Sequence, residues 1–260
     1  MSYLTVMKKF DDKLHSIVLS EDGSYTAYSK EYEEHYHSTK DGALYESLVK
    51  HVIPAFELKK NHSEITILDI CFGLGFNTLA TIWYHRQNRL TSKLRIFSPE
   101  LDGSLVKSLK YFSYPKEFEP LKNIVKELSQ NGIYQDETLH VEIFVGDARE
   151  YIKRFSAQTF DVVFQDAFSP AANPLLWTKE YFMDIKNIIK DDGVLTTYSI
   201  ALPIRVALWE SGFYVFLNSG EGFRDATVAS QSKLDIYSVV DVEHKMRCNP
   251  HVTSLRDCTL

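Results

Sequence analysis

Short apolar runs alternate with segments of helical periodicity through most of the chain. Four runs rich in β-branched and aromatic residues predict buried strands: ITILDI (65–70), LRIFSPE (94–100), HVEIFVGDA (140–148) and FDVVFQD (160–166). After the first of them, Phe76, Leu79 and Trp83 recur at the spacing of an amphipathic helix. Strands that alternate with helices in this way predict an α/β domain whose sheet is mostly parallel and covered on both faces.

A different pattern precedes this region. The segments SIVLS and SYTAYS flank Glu21–Ser24, whose composition is typical of a tight turn, and together they predict a β-hairpin. Leu44, Leu48 and Val52 then recur at helical spacing. We therefore expect residues 1–60 to form a small appendage of a β-hairpin and a helix.

The pattern after the fourth strand predicts the rest of the sheet. A helix that begins near Trp177 leads to strand VLTTYS, and a helix over 201–212 leads to strand FYVFLN. Two final strands, near 225–230 and 234–239, have the pattern of an antiparallel pair. The late pair predicts an antiparallel strand near one edge of the otherwise parallel sheet.

These elements predict a seven-stranded sheet within residues 61–241. A helical insert is expected over 113–137, and the tail over 242–260 has no clear period. The order of strands and helices resembles the Rossmann-like class I fold of S-adenosylmethionine-dependent methyltransferases. This resemblance concerns the fold alone, because one fold supports many functions.

Composition and charge argue against several classes of protein. The chain of 260 residues is 44% hydrophobic and 25% charged, which is typical of a globular protein. A net charge of −6 argues against broad, non-specific binding to nucleic acid, although it allows a local basic patch. The three cysteines form no CxxC pair, which predicts neither a disulfide framework nor a zinc site. With no apolar run of signal-peptide or membrane-spanning length, a cytoplasmic location is expected.

Acidic residues occur at the ends of the predicted strands, at Asp69, Glu100, Asp147 and Asp166. The carboxyl ends of parallel strands meet at one edge of an open α/β sheet, where such sheets bind ligands. Each acid alone also fits a helix N-cap. Together the first three favour a nucleoside site, in which Glu100 would accept the ribose hydroxyls.

A glycine loop follows the first predicted strand. In LDICFGLGFNT, Gly73 and Gly75 lie where glycine permits a tight turn and close approach to a ligand, although a plain structural turn is an alternative. The loop resembles the DxGxGxG loop of S-adenosylmethionine-dependent methyltransferases, with Cys71 at the first glycine position. That resemblance implies that Asp147 contacts the adenine amino group. The chain has neither GxGxxG nor a P-loop lysine, so a nucleoside without a pyrophosphate is expected.

A longer motif carries a more specific resemblance. The segment FDVVFQDAFSPAANPLLWTKEYF is similar to the D-x-F-x-P-x-x-N-P-x-x-W signature in the methyltransferase domain of the bifunctional tRNA 5-methylaminomethyl-2-thiouridine biosynthesis family. The segments CFGLGFN, GDARE, TTYS and SGEGFRDATVAS also follow the family order, and the likeness covers roughly residues 20–230. The chain has no FAD fingerprint and no room for an oxidase domain, so it resembles the stand-alone methyltransferase form.

The resemblance implies methylation of the amine of 5-aminomethyl(-2-thio)uridine at the tRNA wobble position, with S-adenosyl-L-methionine as cofactor and no metal. It implies that Asp166 is the catalytic residue. The expected cofactor-binding residues are Asp69, Phe72, Gly73, Gly75, Asn77, Glu100, Asp147 and Ala148. The expected substrate-binding residues are Phe168, Pro170, Asn173, Trp177, Tyr198, Phe223 and Arg224.

Two aromatic residues of the motif are candidates for stacking on the flipped uracil, and Phe168 is the better candidate. Phe168 lies in the predicted loop, whereas Trp177 also fits the first core position of its helix. Tyr198, Phe223 and Arg224 are expected at the mouth of the site, although strand-end and surface roles explain them equally well. His35 and His37 have no metal-ligand spacing.

Amine methylation restricts the role of Asp166, because only a neutral amine has a lone pair that can attack a sulfonium methyl group. If the amine titrates like lysine, with a pKa of about 10.4, neutralising it at pH 7 costs roughly 4 to 5 kcal/mol. An aspartate with a pKa of about 3.9 is too weak a base to supply this. We expect Asp166 to accept an amine N–H, orient the lone pair and stabilise the developing positive charge, while desolvation favours the neutral amine.

Two other functions stay open. A polyamine aminopropyltransferase shares the fold, but the Asp-Thr/Ser-Thr-Asp-Pro loop of that family is absent, because Ala167 and Phe168 follow Asp166. A catalytically inactive, nucleoside-binding partner subunit is consistent with Cys71 in place of glycine. For a tRNA surface, basic residues are enriched in one segment, although solvated helix faces explain them as well: Arg86, Arg89, Lys93, Arg95, Lys107 and Lys110.

Overall fold

A computed structural model describes Phe10 and residues 13–260, so the other residues of the predicted N-terminal appendage lie outside the described part. Three antiparallel strands and two short helices precede the main sheet: β1 (His15–Leu19), β2 (Tyr25–Ser29), β3 (Glu34–His35), α1 (Ala43–Ser47) and α2 (Ile53–Lys59). The hairpin of β1 and β2 confirms the prediction from SIVLS and SYTAYS. The acidic and aromatic segment after it contributes the third strand.

A π-helical turn, Leu48–Val52, joins α1 to α2. Its last three residues, Lys50, His51 and Val52, are all buried. Three consecutive residues of an α-helix are spread over about 200° of its circumference, so a regular helix does not present them to one neighbour. The wider π turn interrupts the helix at this point, and such interruptions are frequent at functional sites.

In the described part of the chain, the main sheet has nine strands. They are β4 (Glu64–Ile70), β5 (Lys93–Glu100), β6 (Ile133–Gln135), β7 (Leu139–Val145), β8 (Phe160–Gln165), β9 (Ile189–Thr197), β10 (Tyr214–Asn218), β11 (Ala226–Ser230) and β12 (Ser238–Val239). Their order across the sheet is β12-β10-β11-β9-β8-β4-β5-β7-β6. The five strands from β9 to β7 are parallel, and the outer strands pair antiparallel.

Helices cover both faces of this sheet. They are α3 (Phe76–Gln87), α4 (Gly103–Ser108), α5 (Lys122–Asn131), α6 (Ala148–Ile152), α7 (Lys179–Ile188), α8 (Leu202–Glu210) and α9 (Val242–Cys248). The central strand β4 shows the two layers, because Ile65 and Ile67 belong to one apolar cluster and Leu68 and Ile70 to the other. A strand buried on both faces is expected to be apolar, as β4 is apart from Thr66, Asp69 and the exposed Glu64 at its start. The layers and the strand order confirm the Rossmann-like α/β fold that the element order predicted.

The sheet differs from the seven-stranded prediction at its edges. The short strand β6 lies within 113–137, which was expected to be helical throughout. The strand expected at 234–239 is reduced to the two residues of β12, which pairs with β10 rather than with β11. Strands of two or three residues are too short to show a period in the sequence.

The predicted tail contains a helix, α9. Its N-cap is Asp241, whose Oδ1 accepts the N–H of His244 at 2.8 Å. An aspartate before a short helix is a typical start signal, so this element was detectable from the sequence. Val242, at its start, is buried in the apolar cluster that also contains residues of α7 and α8.

Candidate active site

A cavity of about 770 Å³ lies at the carboxyl ends of β4, β5, β7 and β8. Strand-end residues and the loop after β8 form one side of it. Residues of β1, β2 and β3, with Glu46 of α1, form the other side. Small-molecule pockets enclose about 300–1,000 Å³, so this volume suits a nucleoside-sized ligand. It lies at the sheet edge where open α/β sheets bind ligands.

The loop between β4 and α3 turns tightly at the cavity. Cys71, Gly73 and Gly75 all have positive φ values, of 66°, 53° and 78°. A Cβ at Gly73 would lie 3.0 Å from the ring of Tyr36, and one at Gly75 would lie 2.8 Å from the ring of Phe72. Both positions therefore require glycine for conformation and for space. Cys71 adopts the same left-handed backbone despite its side chain, at a cost of order 1 kcal/mol.

Glu100 connects the glycine loop to the end of β5. Its Oε2 accepts the N–H of Gly73 at 2.7 Å, and its Oε1 accepts the N–H of Asp102 at 2.9 Å. Burial raises the pKa of Glu100, and these backbone N–H groups oppose that shift. A carboxylate oxygen has two acceptor positions, so each can accept a further hydrogen bond from a ligand in the cavity that Glu100 lines.

Asp147 follows β7 and lines the cavity beside Ala148. Its Oδ1 accepts the N–H of Glu150 at 3.0 Å and so caps α6, as the alternative interpretation of this acid expected. Capping occupies one carboxylate oxygen. The other is available to a ligand, so capping and ligand binding are compatible at this position.

Asp69 does not line the cavity, contrary to the cofactor contact expected for it. Its side chain is 1% exposed, and its Oδ2 accepts the hydroxyl of Thr78 at 2.7 Å. Burial raises the pKa of Asp69 to about 8. Phe72, Gly75 and Asn77 also lie behind the cavity wall. Asp69 and these three residues therefore support the cavity wall without lining the cavity.

Asp166 lies directly after β8 and is held by two side chains. Nδ2 of Asn77 donates to its Oδ2 at 2.8 Å, and Nε2 of His51 lies 3.5 Å from its Oδ1. Burial acts to raise the pKa of Asp166, but His51 and His37 outweigh it and hold that pKa below its ordinary value. Asp166 therefore lines the cavity as an ionised carboxylate, with 15% of its side chain exposed.

Glu46 is a second anchored acid in the wall. Its Oε1 accepts a hydrogen bond from Nζ of Lys50 at 2.6 Å, and its Oε2 accepts the N–H of Ser38 at 2.7 Å. Burial opposes ionisation, yet His37 and Lys50 hold the pKa of Glu46 well below its usual range. The sequence analysis missed Glu46, Lys50 and His51, because their segment was interpreted only from its apolar spacing.

Aromatic and polar contacts fix the loop after β8. The ring of Phe168 stacks on Tyr32, with centroids 4.7 Å apart, and packs against Tyr36 at 4.9 Å. Ser169 donates its N–H to Glu34 at 2.9 Å, and its hydroxyl bonds the same carboxylate. Phe168 lines the cavity, but Tyr32 covers one of its faces, so a base can stack only on the other.

Trp177 lies in the core and not in the cavity wall. Its side chain is fully buried, and its Nε1 donates to the carbonyl of Phe168 at 2.7 Å. The prediction that Trp177 stacks on a base is therefore wrong, and the alternative core role is the observed one. Of the two other loop residues predicted to bind substrate, Asn173 lines the cavity and Pro170 does not.

Of the three residues predicted at the mouth, Tyr198 lines the cavity. Its hydroxyl donates to the carbonyl of Ala167 at 3.0 Å, which also stabilises the loop. Phe223 and Arg224 lie in the loop before β11, outside the cavity wall, so the structure does not bring them to the site. The ring of Phe223 packs over Gly220 instead, where a Cβ would lie 2.6 Å from it.

Three residues of the basic segment considered for tRNA binding lie away from the mouth of the cavity. Lys93 begins β5, whereas Glu100 ends it. Arg86 and Arg89 line a separate cavity of about 270 Å³ that also includes Leu139, at the start of β7. These three residues therefore lie at the opposite edge of the sheet, where they do not reach a substrate bound beside Asp166.

The cavity wall is acidic. Seven carboxylates line it among the described residues: Glu31, Glu34, Glu46, Glu100, Asp102, Asp147 and Asp166. Arg149 also lines the wall, but its charge is paired with Asp257. A concave surface with an excess of one sign of charge attracts ligands of the other sign, so this cavity suits a cationic ligand. In the part of the chain that the structure describes, no group of three or more metal-ligating side chains is arranged to hold an ion, and no helix is long and apolar enough to cross a membrane.

Comparison with known proteins identifies the family. A family model described as S-adenosyl-L-methionine-dependent methyltransferase matches residues 116–232. The crystal structure of MNMC2 from Aquifex aeolicus is 32% identical to this chain, with a TM-score of 0.81 over 98% of this chain and 84% of that one. The chain belongs to this methyltransferase family. S-adenosyl-L-methionine is therefore its cofactor.

Other relatives match part of their own length. An uncharacterized protein of Methanocaldococcus jannaschii is 36% identical over 204 residues, which are 77% of this chain and 55% of that protein. The tRNA 5-methylaminomethyl-2-thiouridine biosynthesis bifunctional protein MnmC of Azoarcus sp. is 31% identical over 228 residues, covering 80% of this chain and 34% of that protein. The chain thus spans between a third and about half of these relatives. Spermidine synthase from Thermotoga maritima, at 17% identity and a TM-score of 0.55, shares the fold alone.

Proposed function

We propose that the protein transfers a methyl group from S-adenosyl-L-methionine to the amine of 5-aminomethyl(-2-thio)uridine at the tRNA wobble position. The product is 5-methylaminomethyl(-2-thio)uridine. The names of the MnmC relatives, which refer to tRNA 5-methylaminomethyl-2-thiouridine biosynthesis, support this substrate class. The structural observation that carries the proposal is Asp166, an ionised carboxylate that lines an acidic cavity next to the glycine loop.

Gly73, Glu100, Asp147 and Ala148 form the cofactor end of the cavity in this proposal. Glu100 accepts the ribose hydroxyls and Asp147 the adenine amino group, while Gly73 leaves the space that a side chain would fill. When bound, S-adenosyl-L-methionine supplies a sulfonium methyl group, whose S–C bond breaks with its electron pair on sulfur as the amine nitrogen forms the new N–C bond.

Asp166 acts on the acceptor amine by charge and orientation. It accepts an N–H of the amine, aims the lone pair and stabilises the positive charge that develops on nitrogen. Because His51 and His37 lower the pKa of Asp166, it is an even weaker base than an ordinary aspartate. Asp166 therefore does not keep the proton of the amine. The uracil ring packs against the free face of Phe168, near Asn173 and Tyr198.

The test is methyl transfer from radiolabelled S-adenosyl-L-methionine to tRNA that carries 5-aminomethyluridine, with the unmodified transcript as the parallel substrate. Asp166→Asn removes the charge but retains the shape, and should lower kcat/KM by about 100-fold to 1,000-fold, the usual effect of losing one transition-state contact. Asp191→Asn is the matched control, because it makes the same charge change at the start of β9, at the opposite edge of the sheet. Cofactor affinity should stay within about threefold in both variants, since Asp166 contacts the acceptor in this proposal.

Equal methylation of modified and unmodified tRNA would contradict the role of the amine. The acidic cavity also suits a diamine, so putrescine with decarboxylated S-adenosylmethionine is a second pair of substrates to assay. Aminopropyl transfer in that assay would replace the proposed function by a polyamine synthase. Calorimetric binding of the cofactor without any turnover would instead indicate an inactive nucleoside-binding subunit.

A further inference from the structure

Glu46 is a carboxylate of the cavity wall that the proposed function does not use. It belongs to α1, on the side of the cavity that the N-terminal elements form. Its side chain is 14% exposed, and that of its ion-pair partner Lys50, four residues later, is 7% exposed. Glu46 lines the cavity and Lys50 does not. The pair therefore presents its negative end to the cavity and keeps its positive end in the protein interior.

The hydrogen bonds of Glu46 leave room for a ligand. Oε1 accepts from Nζ of Lys50 at 2.6 Å, Oε2 accepts the N–H of Ser38 at 2.7 Å, and Nδ1 of His37 lies 3.6 Å from Oε2. A carboxylate offers about four acceptor positions, and these groups occupy at most three of them. Because the carboxylate is anchored on both oxygens, the remaining position has a fixed direction.

A role in stability alone explains the ion pair poorly. Removing two charges from water costs free energy that their attraction often fails to offset, so a buried pair is weak evidence of a stabilising role. Glu243 and Arg247 form a pair at the same spacing in α9, and both are more than half exposed. Glu46 is instead held ionised despite its burial, because His37 and Lys50 keep its pKa well below the usual range.

Most other carboxylates of the wall are bonded elsewhere or solvated. Glu34 uses both oxygens on the loop after β8, and Glu100 accepts two backbone N–H groups at the glycine loop and after β5. Asp102 and Asp147 cap α4 and α6, and Glu31 is exposed. Two carboxylates with a lowered pKa remain, one from each side of the cavity: Glu46 and Asp166.

Three histidines also line the cavity, and each has contacts of its own. Nε2 of His15 shares a hydrogen bond with the hydroxyl of Tyr36 at 2.9 Å. The ring of His35 packs against Tyr28, with centroids 5.0 Å apart, and His37 faces Glu46. An imidazole ring is neutral or positive, so it does not offset the charge of a bound cation. A cation in the cavity therefore depends on the carboxylates.

Glu46 and Asp166 act on the same region of the cavity. Burial and the charge of Glu46 both act to raise the pKa of Asp166. His37 acts on both acids and lowers the pKa of each, against the effect of burial. Burial raises the pKa of Tyr198, and the charges of Asp166 and Glu46 raise it further. Such effects require that the charges lie near one another, so Glu46 is within reach of groups bound close to Asp166.

Methyl transfer to an amine brings two primary ammonium groups to this region. The α-ammonium group of S-adenosyl-L-methionine is four bonds from the sulfonium sulfur, a span of about 5 Å. Under the proposed function, the acceptor amine enters as an ammonium and bonds the methyl group of that same sulfonium. An ammonium group taken out of water without a partner is costly. Two ammonium groups therefore need two carboxylates.

We propose that Glu46 binds a primary ammonium group in the cavity, as a second receptor beside Asp166. The ammonium donates an N–H to the remaining acceptor position of Glu46, in a charge-assisted hydrogen bond. The cofactor and the acceptor share this chemistry, and the acceptor as a source rests on the proposed function. Because Asp166 takes the acceptor amine in that function, we expect the α-ammonium of the cofactor at Glu46.

The test compares two ligands that differ at the amino-acid end, by calorimetry on Glu46→Gln. S-adenosyl-L-homocysteine carries the α-ammonium group, and 5′-deoxy-5′-methylthioadenosine lacks it. Glutamine retains the shape and an acceptor for Lys50 but removes the charge. We expect Kd for S-adenosyl-L-homocysteine to rise about 10-fold to 100-fold, while Kd for methylthioadenosine stays within about twofold. Tighter binding of S-adenosyl-L-homocysteine would mean that Glu46 repels the carboxylate of that ligand, which overturns the proposal.

Methylation kinetics with saturating cofactor test the acceptor as the source. If Glu46 binds the acceptor amine, kcat/KM for tRNA carrying 5-aminomethyluridine falls about tenfold or more in Glu46→Gln, while Kd for S-adenosyl-L-homocysteine stays within about twofold. Either result supports an ammonium receptor and identifies its ligand, whereas unchanged values in both measurements overturn the proposal. If wild type does not methylate this tRNA, the proposed function has failed, and the calorimetry still decides the role of Glu46.

Two further proteins separate a lost receptor from a general loss of charge or structure. Glu243→Gln is the matched control, because it removes the same charge from an ion pair of the same spacing outside the cavity, and both Kd values should stay within about twofold. Glu46→Gln combined with Lys50→Met leaves no buried cation without its partner, and should reproduce the selective loss. Equal losses for the two ligands in the single and the double variant indicate a damaged wall and overturn the proposal.

Discussion

Asp69→Asn tests whether the buried carboxyl near the end of β4 is protonated in the folded protein. Oδ1 of Asp69 and Oδ1 of Asn77 are both buried, and neither has a hydrogen-bond partner in the described part of the chain. Two neighbouring acceptors without a donor are unfavourable, whereas a proton on Asp69 supplies the missing donor. Asparagine at this position supplies an N–H instead and retains an oxygen for the hydroxyl of Thr78.

The sign and size of the effect follow from the pKa of Asp69, which burial raises from 3.8 to about 8. The folded protein keeps a proton that the unfolded chain releases above pH 3.8, so stability falls as the pH rises through this window. One retained proton costs about 1.4 kcal/mol per pH unit. Between pH 5 and pH 7, wild type therefore loses about 3 kcal/mol relative to Asp69→Asn, which has no group to titrate at this position.

The assay is urea unfolding of both proteins at pH 5, 6 and 7 without ligands. Every other titrating group cancels in the difference between the two free energies of unfolding. For a chain of this size, the expected change corresponds to a relative shift in melting temperature of about 5 to 10 °C. If the two curves of stability against pH are parallel, Asp69 binds no extra proton on folding and the reasoning is refuted.

Three further substitutions test the cavity wall. Glu100→Gln should raise the Kd for S-adenosyl-L-methionine by about 10-fold to 100-fold in calorimetry, because charge-assisted hydrogen bonds are worth about 1.5–3 kcal/mol; an unchanged Kd removes Glu100 from the ribose site. Cys71→Gly should raise the free energy of unfolding by about 1 kcal/mol, because glycine adopts the left-handed backbone at φ 66° without strain, and thermal melting would detect it. Tyr32→Ala removes the ring stacked on Phe168 and should raise KM for tRNA several-fold while leaving cofactor affinity unaltered; equal loss of both would mean that the whole cavity collapses.

The acids at the strand ends were the most predictable part of the site, and Asp69 shows the limit of that argument. Glu100 ends β5 and Asp166 directly follows β8, so both reach the cavity. Asp69 is followed by one more strand residue, Ile70, and its side chain is therefore enclosed within the fold. A shift of one residue in the end of a strand therefore decides whether an acidic side chain lines the cavity or lies behind its wall. Sequence patterns do not determine the ends of strands to within one residue.

The residues that sequence analysis missed share a different cause. His51 and Glu46 occupy a helix whose pattern predicts only which side is apolar, and no local signal marks the π turn that directs His51 inward. Phe168 was identified as exposed to substrate because its motif lies in a loop. The residue that covers Phe168 is Tyr32, which belongs to the N-terminal part of the chain. Hydrophobic periodicity reports the faces of one element, so it does not predict a contact between two segments that are far apart in the sequence.

The N-terminal sheet also makes the cavity depend on contacts between distant parts of the chain. The bond between Ser169 and Glu34 joins positions 135 residues apart, and contacts that close such long loops form slowly. A folding intermediate that contains the parallel sheet but not the docked strands β1–β3 lacks one whole wall of the cavity. We therefore expect the ligand to bind only when strands β1–β3 have docked on the main sheet. We also expect amide hydrogen exchange in β1 and β2 to slow when a ligand fills the cavity.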